Sequence, residues 1–263
     1  MPAQTPAADP RPGDAYVQSF ARGLEVIRSF SATAPRQTLS EVAARTGLTR
    51  AGARRILLTL QTLKYVEWDG KLFTLTPRIL DLGFAYLSSM PMWNVAEPLM
   101  EALVAQVKES CSAGVLEGTD IMYVQRVATR KIMRNALGVG SRLPAYCTSM
   151  GRMLLAGLPD AEAEALLRAS AREARTRHTL TDVDALLAKV QQARRQGWCL
   201  VNQELEEGLV SIAAPVHDRA GRTIAVINIS GQANRTPPRQ MQETMLGPLR
   251  ETAAQISIRL GRG

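Results

Sequence analysis

The side chains that could perform catalysis or bind a metal are few and scattered along the chain. The 263 residues include three cysteines, Cys111, Cys147 and Cys199, and two histidines, His178 and His217. No Cys-x-x-Cys pair occurs and the histidines lie far apart, so the sequence predicts neither a disulfide framework nor a metal site. We also expect no cofactor.

Two segments suggest enzymatic chemistry at first sight. The run Gly138-Val139-Gly140-Ser141-Arg142-Leu143 begins like a dinucleotide-binding fingerprint, but Leu143 stands where the third glycine belongs. Ser211 and His217 suggest a hydrolase, yet no Gly-x-Ser-x-Gly motif occurs and no carboxylate partner is indicated. We therefore predict no catalytic residues, and an enzyme stays the disfavoured alternative.

The charge distribution favours a polyanionic partner near the N-terminus. The chain has a formal net charge of +8. Residues 1–80 carry 11 Lys/Arg and 6 Asp/Glu, which is most of that excess. Such a basic surface attracts nucleic acid, although charge by itself also fits a generally cationic surface.

A helix-turn-helix pattern lies in this basic region. Apolar residues recur at helical spacing from Ser19 to Phe30. Thr38 and Glu41 form a capping-box pattern that opens a short helix ending at Gly47. A further helix follows at once, which is the spacing of a helix-turn-helix.

The next segments predict a recognition helix and a wing. Thr49 can cap a helix that runs to about Lys64. Asp69-Gly70 lies between two β-prone runs and predicts a hairpin with a type I′ turn, because that turn needs positive φ at both central residues. Pro77 closes the domain. Helices followed by a hairpin are the order of a winged helix.

The exposed positions of the recognition helix favour DNA binding. An arginine near the start of such a helix can donate two hydrogen bonds to guanine in the major groove. Arg45 and Lys71 are better placed for phosphates. A solvated cationic helix face is the alternative. The predicted DNA contacts are Arg45, Thr49, Arg50, Ala51, Arg54, Arg55 and Lys71.

The remaining chain predicts a connecting helix and a larger mixed domain. Arg78 to Met90 has one apolar side, and Pro91 ends it. β-prone stretches lie at 113–117, 121–127, 132–137, 198–201, 210–216 and 223–229, and helices are predicted at 93–107, 161–170, 182–196 and 238–259. The fold is α+β, with a disordered tail at 1–15, a winged helix at 16–77, a linker helix at 78–91 and a second domain at 92–263.

The composition gives no indication of a membrane or an export signal. No apolar run approaches the roughly 18 residues that span a bilayer. The Pro- and Ala-rich start lacks the apolar core of a signal peptide. An odd number of cysteines suits a reducing compartment. We expect a cytoplasmic protein without membrane contacts.

Several motifs resemble those of the IclR family of bacterial transcriptional regulators. Leu-Ser-Glu-Val-Ala at 39–43 with Gly-Leu-Thr at 47–49 resembles the family's helix-turn-helix. Segments 143–152, 207–216 and 227–231 resemble its effector domain. Segment 127–133 together with 143–151 is similar to the branch that regulates the β-ketoadipate pathway. The resemblance implies a winged helix plus a GAF-like effector-binding domain, assembled as a homodimer or a dimer of dimers.

The resemblance also implies an effector site in the second domain, with Ser149 and Met150 on a loop. A small carboxylate needs hydroxyls, amides and preferably one cation in an otherwise apolar pocket. Arg142 and Arg126 are the candidate cations, and Arg142 alternatively braces its loop. The predicted effector contacts are Arg142, Tyr146, Ser149, Met150, Asn202, Ser211, Asn228 and Ser230.

Two departures from the family's pattern bear on the ligand. The family's acidic position, near Val201 or Asn202, lacks a carboxylate here, and Met150 replaces a small residue. Both disfavour a ligand as small as glyoxylate. We expect an activator of aromatic-acid catabolism that binds an operator in double-stranded DNA. It should respond to an acid such as protocatechuate or 4-hydroxybenzoate. A repressor that answers a non-aromatic acid is the alternative.

Overall fold

The computed structural model describes residues 16–89, 92–129 and 137–260. The predicted disordered tail at 1–15 and nearly all of the predicted strand at 132–137 lie outside these ranges. The chain divides into two compact units between Ser88 and Ser89. No helix in the described ranges is both long and apolar enough to cross a membrane.

The first unit has the order of elements that defines a winged helix. Its core contains Val26, Leu57 and Phe73. The small sheet has the order β1-β3-β2 and is antiparallel. The elements are α1 (Gln18–Arg28), β1 (Arg36–Gln37), α2 (Leu39–Thr46), α3 (Arg50–Thr62), β2 (Val66–Trp68), β3 (Phe73–Leu75), a 3-10 turn (Pro77–Ile79) and α4 (Leu80–Ser89).

Local capping fixes the turn between α2 and α3. The Thr38 hydroxyl accepts the Glu41 N–H at 3.3 Å, and the Glu41 carboxylate accepts the Thr38 N–H at 2.7 Å, so the capping box is present as predicted. Gly47 ends α2 with φ of 64°, a conformation that favours glycine. Thr49 then caps α3 by accepting the Gly52 N–H at 3.1 Å.

The wing differs from the prediction. Trp68 pairs with Phe73, so the connecting loop has four residues instead of two. The Asp69 carboxylate accepts the N–H groups of Lys71 and Leu72 at 2.9 and 2.8 Å. Within this loop only Gly70 has positive φ. The predicted type I′ turn is therefore wrong, because the aspartate side chain stabilises a longer loop by bonding to the backbone that follows it.

The second unit is built on a six-stranded antiparallel sheet with the order β6-β5-β4-β9-β8-β7. Helix α6 packs on one face, where Ala213 and Val226 join its core. Helix α9 lies on the other face, where its Met241 side chain approaches Gly231. The elements are α5 (Met92–Val107), β4 (Ser110–Glu117), β5 (Asp120–Val127), β6 (Arg142–Pro144), α6 (Ser149–Ala156), α7 (Asp160–Ala169), α8 (Val183–Gln196), β7 (Cys199–Asn202), β8 (Leu209–His217), β9 (Thr223–Gln232) and α9 (Pro238–Leu260).

Helix α6 corrects the expectation that Ser149 and Met150 lie on a loop. Both residues are in its first turn, and Thr148 caps it by accepting the Gly151 N–H at 3.1 Å. All eight residues of α6 are buried. A helix that is buried all round has no polar face, so its sequence lacks the amphipathic period that reveals a surface helix.

Candidate DNA-binding and effector-binding sites

The exposed face of α3, the recognition helix, carries the predicted arginines. Arg50, Arg54 and Arg55 are exposed, together with Ala51, whereas Leu57 on the opposite side is fully buried. None of the three arginines forms an ion pair with a carboxylate in the described part of the chain. Unpaired guanidinium groups near a helix start are suited to phosphates and guanine edges.

The other predicted DNA residues surround this face. Arg45 is exposed in the last turn of α2. Thr49 is exposed, but its hydroxyl is engaged in capping α3. Lys71 is exposed at the tip of the wing, where the neighbouring Asp69 is paired with Arg36. Because Asp69 pairs with Arg36, Lys71 has no carboxylate partner among the described residues.

A cavity of about 890 Å³ lies beside the start of α6, on the face of the second unit's sheet that α6 covers. Five of the eight predicted effector residues line it, namely Ser149, Met150, Ser211, Asn228 and Ser230. Met150 and Leu143 supply apolar wall. Sequence reasoning missed the lining residues Tyr123, Thr148, Arg175 and Gln203. Thr148 lies within the 143–152 motif, but no motif connects the other three to the site. The cavity therefore has the mixed lining expected for a small organic ligand.

The start of α6 provides hydrogen-bond donors at this cavity. The Ser149 hydroxyl donates to the Ser211 hydroxyl at 2.8 Å, which joins the helix to β8. The backbone N–H groups of Ser149 and Met150 precede the first intrahelical acceptor, as in any helix. A helix start of this kind favours an anion through its free N–H groups and its dipole.

A β-bulge places two further polar side chains in the cavity. Arg126 and Tyr123 are three residues apart on β5, and regular alternation would put them on opposite faces. The register shifts between Ala113 and Gly114, so that Ser112 pairs with Arg126 and Gly114 with Tyr123. Arg126 and Tyr123 consequently face the same side, and both line the cavity.

Burial raises the pKa of two groups that line the cavity. Burial raises the pKa of Tyr123 to about 12, against a smaller lowering by Arg126. It raises the pKa of the Cys147 thiol to about 11. Both groups are neutral at pH 7, so Tyr123 can donate a hydrogen bond and Cys147 is a poor nucleophile.

Three predicted effector residues lie outside the cavity lining. Arg142 is on β6, where it pairs with Glu117 at 3.8 Å and Asp120 at 3.7 Å, so its position fits the bracing alternative. Tyr146 is fully buried and donates to the Glu173 carbonyl at 2.7 Å. Asn202 ends β7 but does not line the cavity, unlike its neighbours in sequence. Of the two candidate cations, Arg126 reaches the cavity and Arg142 does not.

A buried ion pair ties α6 to the loop beside the cavity. The two terminal guanidinium nitrogens of Arg152 donate to Glu204, at 2.7 and 2.5 Å, and Arg152 is 2% exposed. The Arg152 Nε donates to the Tyr146 carbonyl at 2.9 Å, and the Leu180 N–H donates to Glu204 at 3.1 Å. Leu205 to Gly208, which follow Glu204, line the cavity. Sequence reasoning missed this pair, because its members are 52 residues apart.

The residues that suggested enzymatic chemistry are not assembled into a catalytic site. The Ser211 hydroxyl bonds to Ser149, and the Thr223 hydroxyl lies 3.5 Å from His217 Nδ1. No cluster of metal-ligating side chains occurs in the ranges that the structure describes.

A winged helix with an arginine face unpaired among the described residues, followed along the chain by a domain with a cavity of mixed polar and apolar lining, defines a DNA-binding transcriptional regulator. The chain belongs to the IclR family. Residues 19–70 match the IclR helix-turn-helix domain, and residues 84–258 match the C-terminal domain of IclR-type bacterial transcriptional regulators. The family resemblance and the predicted α+β fold are thereby confirmed.

Three known proteins illustrate the relationship. A Pca regulon regulatory protein of Pseudomonas putida is 42% identical over 88% of this chain and 80% of its own length. A p-hydroxybenzoate hydroxylase transcriptional activator of Acinetobacter baylyi is 32% identical over 92% of this chain and 91% of its own. The solved structure of an IclR homologue of Microbacterium hydrocarbonoxydans, complexed with 4-hydroxybenzoate, matches with a TM-score of 0.80 at 25% identity over 92% of this chain and 98% of its own.

Proposed function

We propose that this chain regulates genes of aromatic-acid catabolism, binds its operator through α3, and responds to an aromatic carboxylic acid in the cavity of the second unit. The start of α6 with its Ser149–Ser211 hydrogen bond is the observation that carries the effector site. A carboxylate that leaves water must regain strong donors. Two N–H groups supply them together with the Ser211 hydroxyl, which keeps its own proton when it accepts from Ser149. Met150 supplies apolar surface on which an aromatic ring can pack. A two-carbon acid is too small to cover that surface.

The relatives support the aromatic assignment by what their names state. One is a Pca regulon regulator, another activates a p-hydroxybenzoate hydroxylase gene, and a third is bound to 4-hydroxybenzoate. The activator among them favours activation over repression. A reporter gene driven by the cognate promoter tests this point: loss of expression on deleting the regulator supports an activator, and a rise in expression supports the repressor alternative.

Calorimetry on the full chain tests the effector class. Protocatechuate, 4-hydroxybenzoate, β-ketoadipate and glyoxylate are titrated separately, and the aromatic acids should bind. Ser211→Ala should weaken that binding about three- to tenfold, as expected for one lost hydrogen bond. Arg142→Ala is the matched control, since Arg142 lies outside the cavity, and should leave the affinity unchanged. Binding of glyoxylate alone, or no effect of Ser211→Ala, would refute the assignment.

The operator should change the effector affinity by the same factor by which the effector changes operator affinity. A ligand shifts an equilibrium only if it binds the two states differently. Titrating operator DNA with and without 4-hydroxybenzoate measures one arm, and titrating the effector with and without DNA measures the other. Equal affinities in all four titrations would show that the cavity ligand does not regulate DNA binding.

We also propose that the chain acts as a homodimer or a dimer of dimers. One winged helix reads few base pairs, so two units on a repeated site are expected. In the first unit a groove of about 900 Å³ runs beside the apolar side chains of Val17, Phe20 and Leu82. Leu80 and Phe84 of α4 are 71% and 69% exposed. Exposed apolar side chains in this number are typical of an association surface.

Analytical ultracentrifugation tests the assembly. The wild-type chain should sediment as a dimer or larger at micromolar concentration, and Phe84→Glu should shift it toward monomer. Ile258→Glu, at an exposed apolar position of α9, is the control and should not. A wild-type chain that is monomeric both alone and on its operator would disprove the assembly.

A further inference from the structure

The cavity has a second polar end, separate from the start of α6. Arg126 lies directly opposite Ser112 in the sheet, and Ser112 lies opposite Asn228. Residues that face each other across neighbouring strands point to the same side. The three side chains therefore form one row across β5, β4 and β9.

The two outer members of this row have hydrogen-bonding capacity that the described residues leave unused. Arg126 donates to the Ser112 hydroxyl at 3.2 Å, so its guanidinium bends over β4 toward Asn228. No carboxylate in the described ranges pairs with Arg126. Asn228 is 5% exposed, and its side-chain oxygen accepts no hydrogen bond from the described residues. A donor-only cation and an acceptor without a donor among the described residues thus lie on either side of Ser112.

A hydroxyl group satisfies both of these requirements at once. It accepts from a guanidinium with its lone pairs and donates its proton to an amide oxygen. A hydrogen or fluorine atom at that place would leave Asn228 without a donor, and a buried polar group without a partner is costly. A carboxylate could pair with Arg126 but would face the Asn228 oxygen as a second acceptor.

The spacing of the two polar ends fits one aromatic ring. Ser211 pairs with Ser230, which is two residues beyond Asn228 on the same face of β9. One strand spacing and two residues along the strand separate Asn228 from Ser211, which is roughly 8 Å between Cα atoms. This separation is comparable with the length of a para-substituted benzoate.

We propose that Arg126 and Asn228 read a ring hydroxyl of the effector, while the start of α6 with Ser149 and Ser211 holds its carboxylate. This inference rests on the proposed function, because it assumes an aromatic acid in the cavity. It makes Arg126 and Asn228 the residues that separate hydroxylated aromatic acids from those that lack the hydroxyl.

The test compares three ligands that differ at one position. Isothermal titration with benzoate, 4-fluorobenzoate and 4-hydroxybenzoate measures the preference of the wild-type chain. Fluorine is close to a hydroxyl in size but has no proton to donate. We expect 4-hydroxybenzoate to bind at least about tenfold more tightly than 4-fluorobenzoate, the effect of one unsatisfied buried acceptor.

Variants assign that preference to the pair. Asn228→Ala should reduce the ratio of the two affinities to about twofold or less, because the buried acceptor that only the hydroxyl satisfies is then gone. Arg126→Met removes the donor to the hydroxyl but keeps the acceptor, so it should reduce the ratio by a smaller factor. Ser230→Ala is the matched control on the same face of β9. It should change both affinities by a similar factor and leave their ratio as in the wild type. Thermal unfolding without ligand and operator affinity report whether each variant is folded.

The outcomes distinguish this inference from the function it rests on. If aromatic acids bind but 4-fluorobenzoate equals 4-hydroxybenzoate, or if both variants keep the wild-type ratio, the hydroxyl assignment is wrong and the proposed function stands. If no aromatic acid binds while the operator does, the proposed function falls and this inference with it. If a variant does not fold, the three wild-type titrations decide the matter.

Discussion

The arginines of α3 and the arginine of α6 lie in opposite environments. Arg50, Arg54 and Arg55 are exposed and have no carboxylate partner among the described residues. Arg152 is buried, makes two hydrogen bonds to Glu204 and donates a third to a backbone carbonyl. The same side-chain type is solvated and unpaired in one unit, and desolvated and fully paired in the other.

The difference agrees with the binding partner that we propose for each arginine. A cation that is to meet phosphates must stay hydrated and accessible until the DNA arrives, because a protein carboxylate would compete with the phosphate. A buried cation must be neutralised within the protein, since an unpaired charge in a low dielectric is expensive. Removing an arginine of α3 should therefore reduce DNA binding, and removing Arg152 should reduce stability.

The largest effect should come from the buried pair. Arg152→Met leaves the Glu204 carboxylate buried without its partner, which should lower the free energy of unfolding by about 3–5 kcal/mol. Denaturant unfolding of the full chain measures this. Arg168→Met, which removes an exposed pair with Glu164 one helical turn away, should cost about 0.3–0.5 kcal/mol. A loss below about 1 kcal/mol for Arg152→Met would mean that water solvates the freed carboxylate.

The next effect should come from the first turn of α6. A Cβ atom on Gly151 would lie 2.2 Å from the Cα atom of Ala145, so Gly151→Ala must displace backbone. We expect a loss of about 1–3 kcal/mol or more in stability, as for other overpacked sites. Gly138→Ala is the control, because a Cβ there meets nothing within 4 Å. Thermal unfolding of both variants gives the comparison, and equal melting temperatures would contradict it.

Substitution on α3 should have the opposite consequence: operator affinity should fall while stability changes little. Arg50→Ala, Arg54→Ala and Arg55→Ala should each cost about 1–3 kcal/mol of operator affinity where the arginine reads a base. Stability should change by less than about 0.5 kcal/mol, because these positions are exposed. Arg239→Ala on α9, whose side chain is 90% exposed, is the control for simple loss of charge. Unchanged operator affinity in the folded triple variant would exclude α3 as the reading element.

The smallest effect should come from the wing. Lys71→Ala removes one exposed cation, and for a phosphate contact the slope of log affinity against log salt should fall by about 1. The loss should be similar on operator and unrelated DNA, since a phosphate contact carries no sequence information. Binding curves at several salt concentrations measure the slope. A loss confined to the operator would mean that Lys71 reads a base.

Local signals determined the first unit almost completely. The capping box at Thr38, the turn at Gly47 and the cap at Thr49 each act over three or four residues, so their structural consequence is readable from neighbouring letters. The exposed face of α3 follows from the same helical period. Even here the predicted type I′ turn at Asp69-Gly70 was wrong, because a side-chain hydrogen bond competed with the expected backbone turn.

In the effector domain, contacts between residues far apart in the sequence determine which side chains face the cavity. The sequence and the family resemblance indicated Ser149, Ser211 and Asn228, but not that Arg126 faces them while Arg142 turns outward. That choice depends on the register shift in β5, which no local propensity encodes. The pairing of Arg152 with Glu204 likewise exists only once β7, β8 and α6 have assembled. Hydrogen bonds across a sheet link residues by register, and register is a property of the folded sheet rather than of either strand.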